Sequence, residues 1–324
     1  MLKILGLGNA LVDIMIMLPN DELLIEKGLP KGSMHHVGRS VVDDLLLRTL
    51  NLKRELTSGG SAANAIHGLA RLGISTAFIG KIGPDDLGNI FYLDMINSGI
   101  SPQLLHTSTE TGTAVAFITP DSERTFAVFL GAALELTASD LLEDHFKGFD
   151  LLHIEGYLAQ NHHLIKTAVK MAKAAGMKVS LDLASYNVVE DNLEFLHGIV
   201  KNYVDIVFAN EEEASAFTGL EPELAVSSLA LHCEVAIVKT GAKGSLIKSG
   251  ESLYTIGIIP TTVIDSTGAG DLYAAGFLHG YLNKLPLQKC GQAGAILSGN
   301  VIRHIGAKIP AEFWPGIIAE IENL

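Results

Sequence analysis

The sequence predicts an α/β protein: a mostly parallel sheet flanked by helices on both faces, with a small β-sheet lid. Three observations point there. From about residue 150 onward, strand-like runs alternate with helical patterns, the rhythm of a parallel sheet. Several of those runs are continuously apolar, as strands covered on both faces require. Two regions break the rhythm. Residues 12 to about 57 hold two short strand patterns joined by a polar, glycine-containing connection, and residues 106–132 read as strands with no helix between them. Two β-rich excursions from one α/β core predict a small sheet folded over a site.

Each element follows from its bounds. Apolar runs closed by turn residues predict strands at Leu2–Gly8, Val12–Leu18, Thr76–Ile82, Thr113–Ile118, Leu151–Ile154, Lys178–Leu183, Val204–Phe208 and Val235–Lys239. Helical patterns lie between them at Ser61–Leu72, Leu87–Ser98, His163–Ala175, Glu211–Thr218, Leu224–His232, Asp271–Asn283 and Leu287–His304. The expected core is residues 1–11, 58–105 and 133–324, and the expected lid is residues 12–57 and 106–132. No solenoid period and no low-complexity tract interrupts them.

With 324 residues, 48% hydrophobic and 18% charged, the chain is globular and long enough for a large core. A net charge of −13 argues against a nucleic-acid partner, whose phosphates would repel it. A small anion is still compatible, because local backbone amides override net charge. Cys233 and Cys290 form neither a metal spacing nor a disulfide framework, which suits a reducing, cytoplasmic setting. No apolar run is long enough to span a membrane, and Asn9 and Asp13 interrupt any N-terminal signal region.

The most informative string is Asp265-Ser-Thr-Gly-Ala-Gly-Asp271, followed at once by an apolar, small-residue helix. Backbone N–H groups at a helix start lack intrahelical partners and face the positive dipole end, so they bind anions. Gly268 and Gly270 carry no side chain to block a phosphate. Asp271 then stands beside a phosphoryl group, placed to take a proton from an attacking hydroxyl. An Asp cap on a helix after a loop is the plainer alternative.

Three further pieces add to it. Ser58-Gly-Gly-Ser-Ala-Ala-Asn64 opens a helix with paired glycines, which let a ligand approach the backbone, and Asn64 offers a hydroxyl both a donor and an acceptor. Ordinary turn chemistry accounts for the glycines equally. Gly8-Asn-Ala-Leu-Val-Asp13 ends the first strand, where open α/β sheets bind ligands, and Asp13 can accept two hydrogen bonds from a diol. A dinucleotide fingerprint fails there, because position 11 is Leu11 rather than glycine. Asn210-Glu-Glu-Glu213 follows an apolar strand, where carboxylates hold magnesium through its waters. Taken alone it reads as an acidic helix start.

Together these residues resemble the ribokinase (PfkB) family of carbohydrate and nucleoside kinases. The resemblance spans nearly the whole chain in the family's order: the Gly-Asn strand with Asp13, the Gly59-Gly60 turn with Asn64, Gly83-Pro-Asp-Asp-Leu-Gly88, Asn210-x-x-Glu213, and Gly268-Ala-Gly-Asp271. It implies a ribokinase-like core with a β lid and ATP-dependent phosphorylation of a hydroxymethyl group. By resemblance, Asp271 is the catalytic base, and Gly268, Ala269 and Gly270 form the anion hole. Asn9, Asp13, Gly59, Gly60 and Asn64 form the acceptor site, and Asn210 and Glu213 organise the phosphates and Mg2+. Lys239-Thr-Gly241-Ala-Lys-Gly244 resembles the loop under the adenine and ribose of ATP, although relatives often carry a hydroxyl residue where Lys239 stands. Ala295 falls where relatives place a polar residue beside the adenine. Asp265, Thr267, Val301, His304 and Gly306 match the monovalent-cation loop that some members use for K+. Arg124 is expected either at the phosphate side of the substrate or as a solvated turn charge.

The acceptor has two readings. Gly8-Asn-Ala-Leu-Val-Asp-Ile14, Gly112-Thr-Ala-Val-Ala-Phe-Ile-Thr-Pro-Asp121 and Val204-Asp-Ile-Val-Phe-Ala-Asn-Glu-Glu-Glu-Ala214 look more like adenosine kinases than ribokinases. A nucleoside base needs a flat apolar slot with an aromatic face. Tyr157 lies where adenosine kinases place an aromatic pair, and Met15, Met17 and Met34 either complete the slot or pack within the lid. A sugar acceptor, of ribokinase or fructokinase type, would instead need polar lid groups. A catalytically silent nucleoside-binding protein is a third class, against which an intact Asp271 argues. The expected partner is thus a small nucleoside or sugar, with no nucleic acid and no membrane. A lid edge is compatible with a monomer or a homodimer.

Overall fold

The computed structural model describes residues 2–121 and 123–324. In chain order the strands are β1 (Lys3–Leu7), β2 (Leu11–Met17), β3 (Met34–His36), β4 (Arg54–Gly59), β5 (Ser75–Ile82), β6 (Ile100–His106), β7 (Gly112–Ile118), β8 (Arg124–Phe129), β9 (Leu151–Glu155), β10 (Lys178–Asp182), β11 (Ile206–Asn210), β12 (Val235–Lys239), β13 (Ser245–Ser249) and β14 (Ser252–Ile256). Nine of them form one sheet in the order β14-β13-β12-β11-β10-β9-β1-β5-β6. Strands β6 to β12 of that order run parallel, and β13 and β14 close one edge antiparallel. The chain leaves β1 toward β5 and β6 on one side and later fills the other side with β9 to β12. A ligand cleft opens at the carboxyl ends of the strands beside such a reversal.

Continuous apolarity has the cause the sequence implied. Strand β9, Leu-Leu-His-Ile-Glu, is buried along its whole length. Neighbouring residues feed opposite layers: Ile4 and Ile237 join the cluster on one face, while Leu5, Ala236 and Val238 join the other. Burying each large aliphatic side chain contributes about 1.5–3 kcal/mol, so two full layers supply the fold's main driving force.

The helix Ala269–Leu282 sits inside the first layer, buried on nearly every side, between the helices Ser61–Arg71 and Leu287–Val301. Its small residues permit that. A Cβ on Gly276 would lie 2.3 Å from the Ala293 carbonyl oxygen, so only glycine lets the two helices approach this closely. The first turn of this helix, and Asp271 with it, is therefore carried on an element clamped from both sides.

The other five strands form a small sheet in the order β3-β8-β7-β2-β4. Alternation along β2 sends Val12, Ile14 and Ile16 inward and leaves Asp13 and Met15 on the opposite face. Ile14, Ile16, Val115, Phe117 and Ala127 pack with Leu24, Val42 and Leu45 from the helices Glu22–Glu26 and Arg39–Arg48. The opposite face, with Asp13, Ala114, Phe126 and Val128, borders the cleft.

Several elements differ from expectation. Residues 12–57 hold three strands and two helices rather than two short strands, because Val42 and Leu45 cover a sheet face that would otherwise be bare. The expected strand Val204–Phe208 runs Ile206–Asn210, and the helix expected to reach His304 stops at Val301. The helices Tyr186–Asp191, Leu193–Tyr203 and Trp314–Glu322 were not expected. No helix of the described residues is long and apolar enough to cross a membrane.

Candidate active site

The parallel strands end in a row of polar side chains. Asn9 follows β1, Glu155 ends β9, Asp182 ends β10, Asn210 ends β11 and Lys239 ends β12. Glu155 is the brace among them. One carboxylate oxygen accepts from Asn9 N at 3.0 Å and Asn9 Nδ2 at 2.6 Å, and the other accepts from Ala62 N at 2.9 Å. It thereby fixes the Gly8-Asn9 turn to the start of the Ser61–Arg71 helix. Gly60, at φ +100°, makes that junction, where a Cβ would lie 2.2 Å from the Asn9 carbonyl oxygen.

Asp271 stands in the first turn of its helix, in the wall of the cleft, with no salt link among the described residues. Ser61 Oγ donates to Asp271 Oδ1 at 2.7 Å and Asn64 Nδ2 donates to Oδ2 at 2.9 Å. Asn64 Oδ1 is buried with no hydrogen-bond partner among the described residues, which suits a ligand donor. Burial raises the Asp271 carboxyl above its ordinary range more than these two donors lower it. Gly268, left-handed at φ +75°, ends the turn before the helix; a Cβ there would meet the Ala307 backbone at 2.7 Å. The turn through Gly268, Ala269 and Gly270 thus presents the helix's first amides.

On the far side, Asn210 and Glu213 form a reciprocal cap. Asn210 Oδ1 accepts from Glu213 N at 2.8 Å, and the Glu213 carboxylate accepts from Asn210 N and Nδ2 at 2.8 and 2.7 Å. Burial, reinforced by Asp182, raises Glu213. Lys239 Nζ donates to Asp182 Oδ2 at 2.9 Å. Burial alone would lower its pKa, but Asp182, Glu213 and Asp271 outweigh that and hold it above the lysine range. Asp13 lies over Gly59 on the small-sheet side, where a Cβ would come 2.3 Å from Asp13 Oδ2. Burial pushes Asp13 up to about 7 against the opposing charge of Lys308, with Asp271 adding to the rise. Burial also lifts Glu155 to about 7.

Two cavities meet here. The larger, about 590 Å3, takes in Asn9, Asp13, Gly60, Tyr157, Asn210, Glu213 and Asp271. The smaller, about 340 Å3, is bounded by Ala242, Gly244, Ile259, Val263, Tyr273 and Ala295. Lys239, Gly241 and Gly270 belong to both walls.

Most expected site residues line this cleft, and three placements stand out. Lys239 projects its ammonium toward Gly270, 3.0 Å from where a Cβ would stand, and lines both cavities with Gly241. Of the methionines, Met34 borders the large cavity, Met17 is exposed, and Met15 packs against Gly306. Arg124 is neither a solvated charge nor a cleft residue. Its guanidinium pairs with the buried Asp265 and donates to Thr267 Oγ1 at 2.5 Å, and burial draws it down to about 10. Gly306 N also donates to Asp265, while the His304 ring lies against Phe313 at 4.7 Å and the buried Val301 accepts from His304 N at 3.0 Å.

Ser61, Glu155, Asp182 and Lys308 escaped the sequence reading. The legible signal was a lone acid closing an apolar strand, as in Leu-Leu-His-Ile-Glu155 and Lys-Val-Ser-Leu-Asp182, since an unpaired acid seldom ends a buried strand without a task. Lys308, bonded to Ser58 Oγ at 2.7 Å and paired with Asp94, gave no such signal.

Known proteins share the sequence pattern and the fold. A probable sugar kinase from Rhizobium etli CFN 42 superposes with a TM-score of 0.90 at 31% identity, covering 99% of each chain. The adenosine kinase from Sinorhizobium meliloti does so with a TM-score of 0.89 at 33% identity, covering 98% of this chain and 99% of that one. An uncharacterized sugar kinase of Archaeoglobus fulgidus is 30% identical over 242 residues, 74% of this chain and 96% of its own. The family model for pfkB family carbohydrate kinases matches residues 48–314, and the chain belongs to that family.

Proposed function

We propose that this protein transfers the γ-phosphoryl group of ATP to the 5′-hydroxyl of adenosine or a closely related nucleoside. Family membership makes it a phosphotransferase with an alcohol acceptor. The nucleoside part of the reading rests on one observation: the apolar share of the large cavity's wall. Beside Asp13 and Asp271, that wall includes Phe126, Val128, Leu134, Leu136, Tyr157 and Leu164. A flat base buries its faces against such a wall, whereas a free sugar would leave it wetted. His36, Gln160 and Asn161 in the same wall favour a second reading, a sugar with further hydroxyls to satisfy.

In this reading Asp13 accepts from the ribose hydroxyls and Asn64 Oδ1 from another ligand donor. The primary hydroxyl then lies against Asp271, which removes its proton as the O–P bond forms. A carboxyl raised by burial is the stronger base for that task. The amides at Gly268–Gly270 and the Lys239 ammonium take up charge developing on the transferred group. The small apolar cavity beside Ala295 and Tyr273 takes the adenine of ATP. Closure of the small sheet excludes water and limits idle hydrolysis.

The residues present also fit Mg2+. Asp182, Glu211, Glu212 and Glu213 border the cavity with Lys239 as its one Lys or Arg, so a triphosphate needs a divalent counter-charge there. No group of three His, Cys, Asp or Glu among the described residues holds a metal by itself. Asn210, Asp182 and Glu213 would hold it through its waters. Bound with ATP, Mg2+ supplies charge neutralisation at the phosphate oxygens.

Coupled ADP release with a panel of nucleosides and free sugars tests this reading. Release with adenosine and not with ribose or fructose is expected. Release with sugars alone removes the nucleoside reading, and release with no acceptor removes the kinase reading.

A further inference from the structure

We propose that Arg124 is a positioning residue whose guanidinium, reaching over from the small sheet, takes the place of a monovalent cation at Asp265. The inference rests on the kinase reading above and concerns how the amide turn before Asp271 is held in shape.

Asp265 is the hub of that turn. Its side chain is fully buried, at 0% exposure, and that of Arg124 is 13% exposed. One Asp265 oxygen accepts from Thr267 N at 2.7 Å and meets the guanidinium, and the other accepts from Gly306 N. Ile264 N and Asp265 N both donate to the Ile302 carbonyl, at 2.7 and 3.1 Å. One carboxylate thus ties residues 264–268 to residues 302–306, directly before Gly268. A carboxylate buried this deeply is stable only with a counter-charge and donors on its oxygens.

The residues do not fit an added cation. The positive charge at Asp265 is already the Arg124 guanidinium, which a metal ion would have to displace. The Val301 carbonyl already accepts from His304 N, and the His304 ring lies against Phe313. Arg124 also donates to Thr267 Oγ1, which a spherical ion cannot do.

The charge arrives from a different sheet. Arg124 opens β8 and pairs in register with Ile118 of β7. On β2 of the same sheet, Met15 packs against Gly306, within 3.2 Å of where a Cβ would stand. The small sheet therefore touches both halves of the Asp265 hub. The amide turn takes its full shape when that sheet lies over the cleft, which links acceptor enclosure to phosphoryl binding.

The test compares turnover of ATP and adenosine in KCl, NaCl and N-methylglucamine chloride at equal ionic strength. The wild-type rate is expected to change by less than about twofold among the salts, while Arg124→Ala loses about 30-fold or more in kcat. Guanidinium at about 20 mM, or KCl, restores at least about tenfold of that loss in the variant and nothing in the wild type. Arg124→Lys, which keeps the charge and lessens the risk of misfolding, retains more activity than Arg124→Ala. Thermal melting gives a readout independent of turnover: guanidinium or KCl stabilises Arg124→Ala against N-methylglucamine chloride and leaves the wild type unchanged. A wild-type enzyme that needs K+, an unimpaired Arg124→Ala, or a loss that no cation restores overturns the inference. A wild type inactive with every acceptor defeats the kinase reading instead, and the melting comparison then decides the Arg124 role alone.

Discussion

The two cavities that meet at Gly270 and Lys239 are built on opposite terms. The larger gathers Asp13, Glu155, Asp182, Glu213 and Asp271 around one lysine, and burial lifts at least four of these acids. The smaller has no acid in its wall and is shaped by Ile258, Ile259, Val263, Tyr273, Ala295 and Ile302. One region holds charge under desolvation, the setting the proposed proton transfer needs. The other holds a shape, the setting for selection by fit. Substitutions in the first should act on kcat or acceptor binding, and those in the second on KM for ATP alone.

The largest effect belongs to Asp271→Asn. The amide oxygen still accepts from Ser61 Oγ or Asn64 Nδ2, but the amide cannot take a proton, so kcat should fall by about 10^3-fold or more. Calorimetric titration should find acceptor affinity within about tenfold of wild type. Turnover near normal would show that Asp271 is not where the proton goes. Lys239 tests the shared wall next. Lys239→Thr replaces the ammonium with a neutral hydroxyl, and kcat/KM for ATP should fall about 10- to 100-fold with a fall in kcat included. A change confined to KM for ATP would assign Lys239 to the shape-selecting side.

Ala295→Phe sharpens the comparison from the other cavity. Ala295 is 8% exposed, and a ring grown from it fills apolar space in a wall already formed by Tyr273 and Ile259. KM for ATP should rise about tenfold, since one misfit apolar contact is worth about 1–3 kcal/mol, while kcat and acceptor KM stay near wild type. A matching rise in acceptor KM would mean that the two cavities are not separate.

This difference also explains what the sequence allowed one to read. Turn glycines and the acid beside them are local: Gly268, Gly270 and Asp271 sit within four residues, and helix-start physics links them directly. The apolar strands were equally plain, because burial on both faces leaves a run with no alternation. What failed was non-local. Glu155 braces Asn9 and Ala62 across 146 and 93 positions, and Arg124 meets Thr267 across 143. No spacing rule reaches that far. The helix Arg39–Arg48 was missed because its ends are charged and only Val42 and Leu45 are fully buried, a stripe too thin to stand out.

The smallest effect is a stability change, and its sign separates the regions most cleanly. Asp13 is raised from 3.8 to about 7, so the folded state binds its proton more tightly than the unfolded chain does. Its contribution to stability is therefore complete below about pH 3.8 and is lost as pH rises through about 7. Asp13→Asn has no charge to desolvate. At pH 8 it should melt about 2–5 °C above wild type, and the gap should close as pH falls below about 3.8, where Asp13 is protonated in both states. Acceptor KM should rise sharply in the same variant, because the hydrogen bonds to a charged oxygen are gone. Ala295→Phe should show no such pH-dependent difference from wild type, since no titratable group lines its cavity beyond Lys239 and Tyr273. An Asp13→Asn protein less stable than wild type at pH 8 would mean that Lys308 compensates the carboxylate fully, and that the large cavity holds its charge without strain.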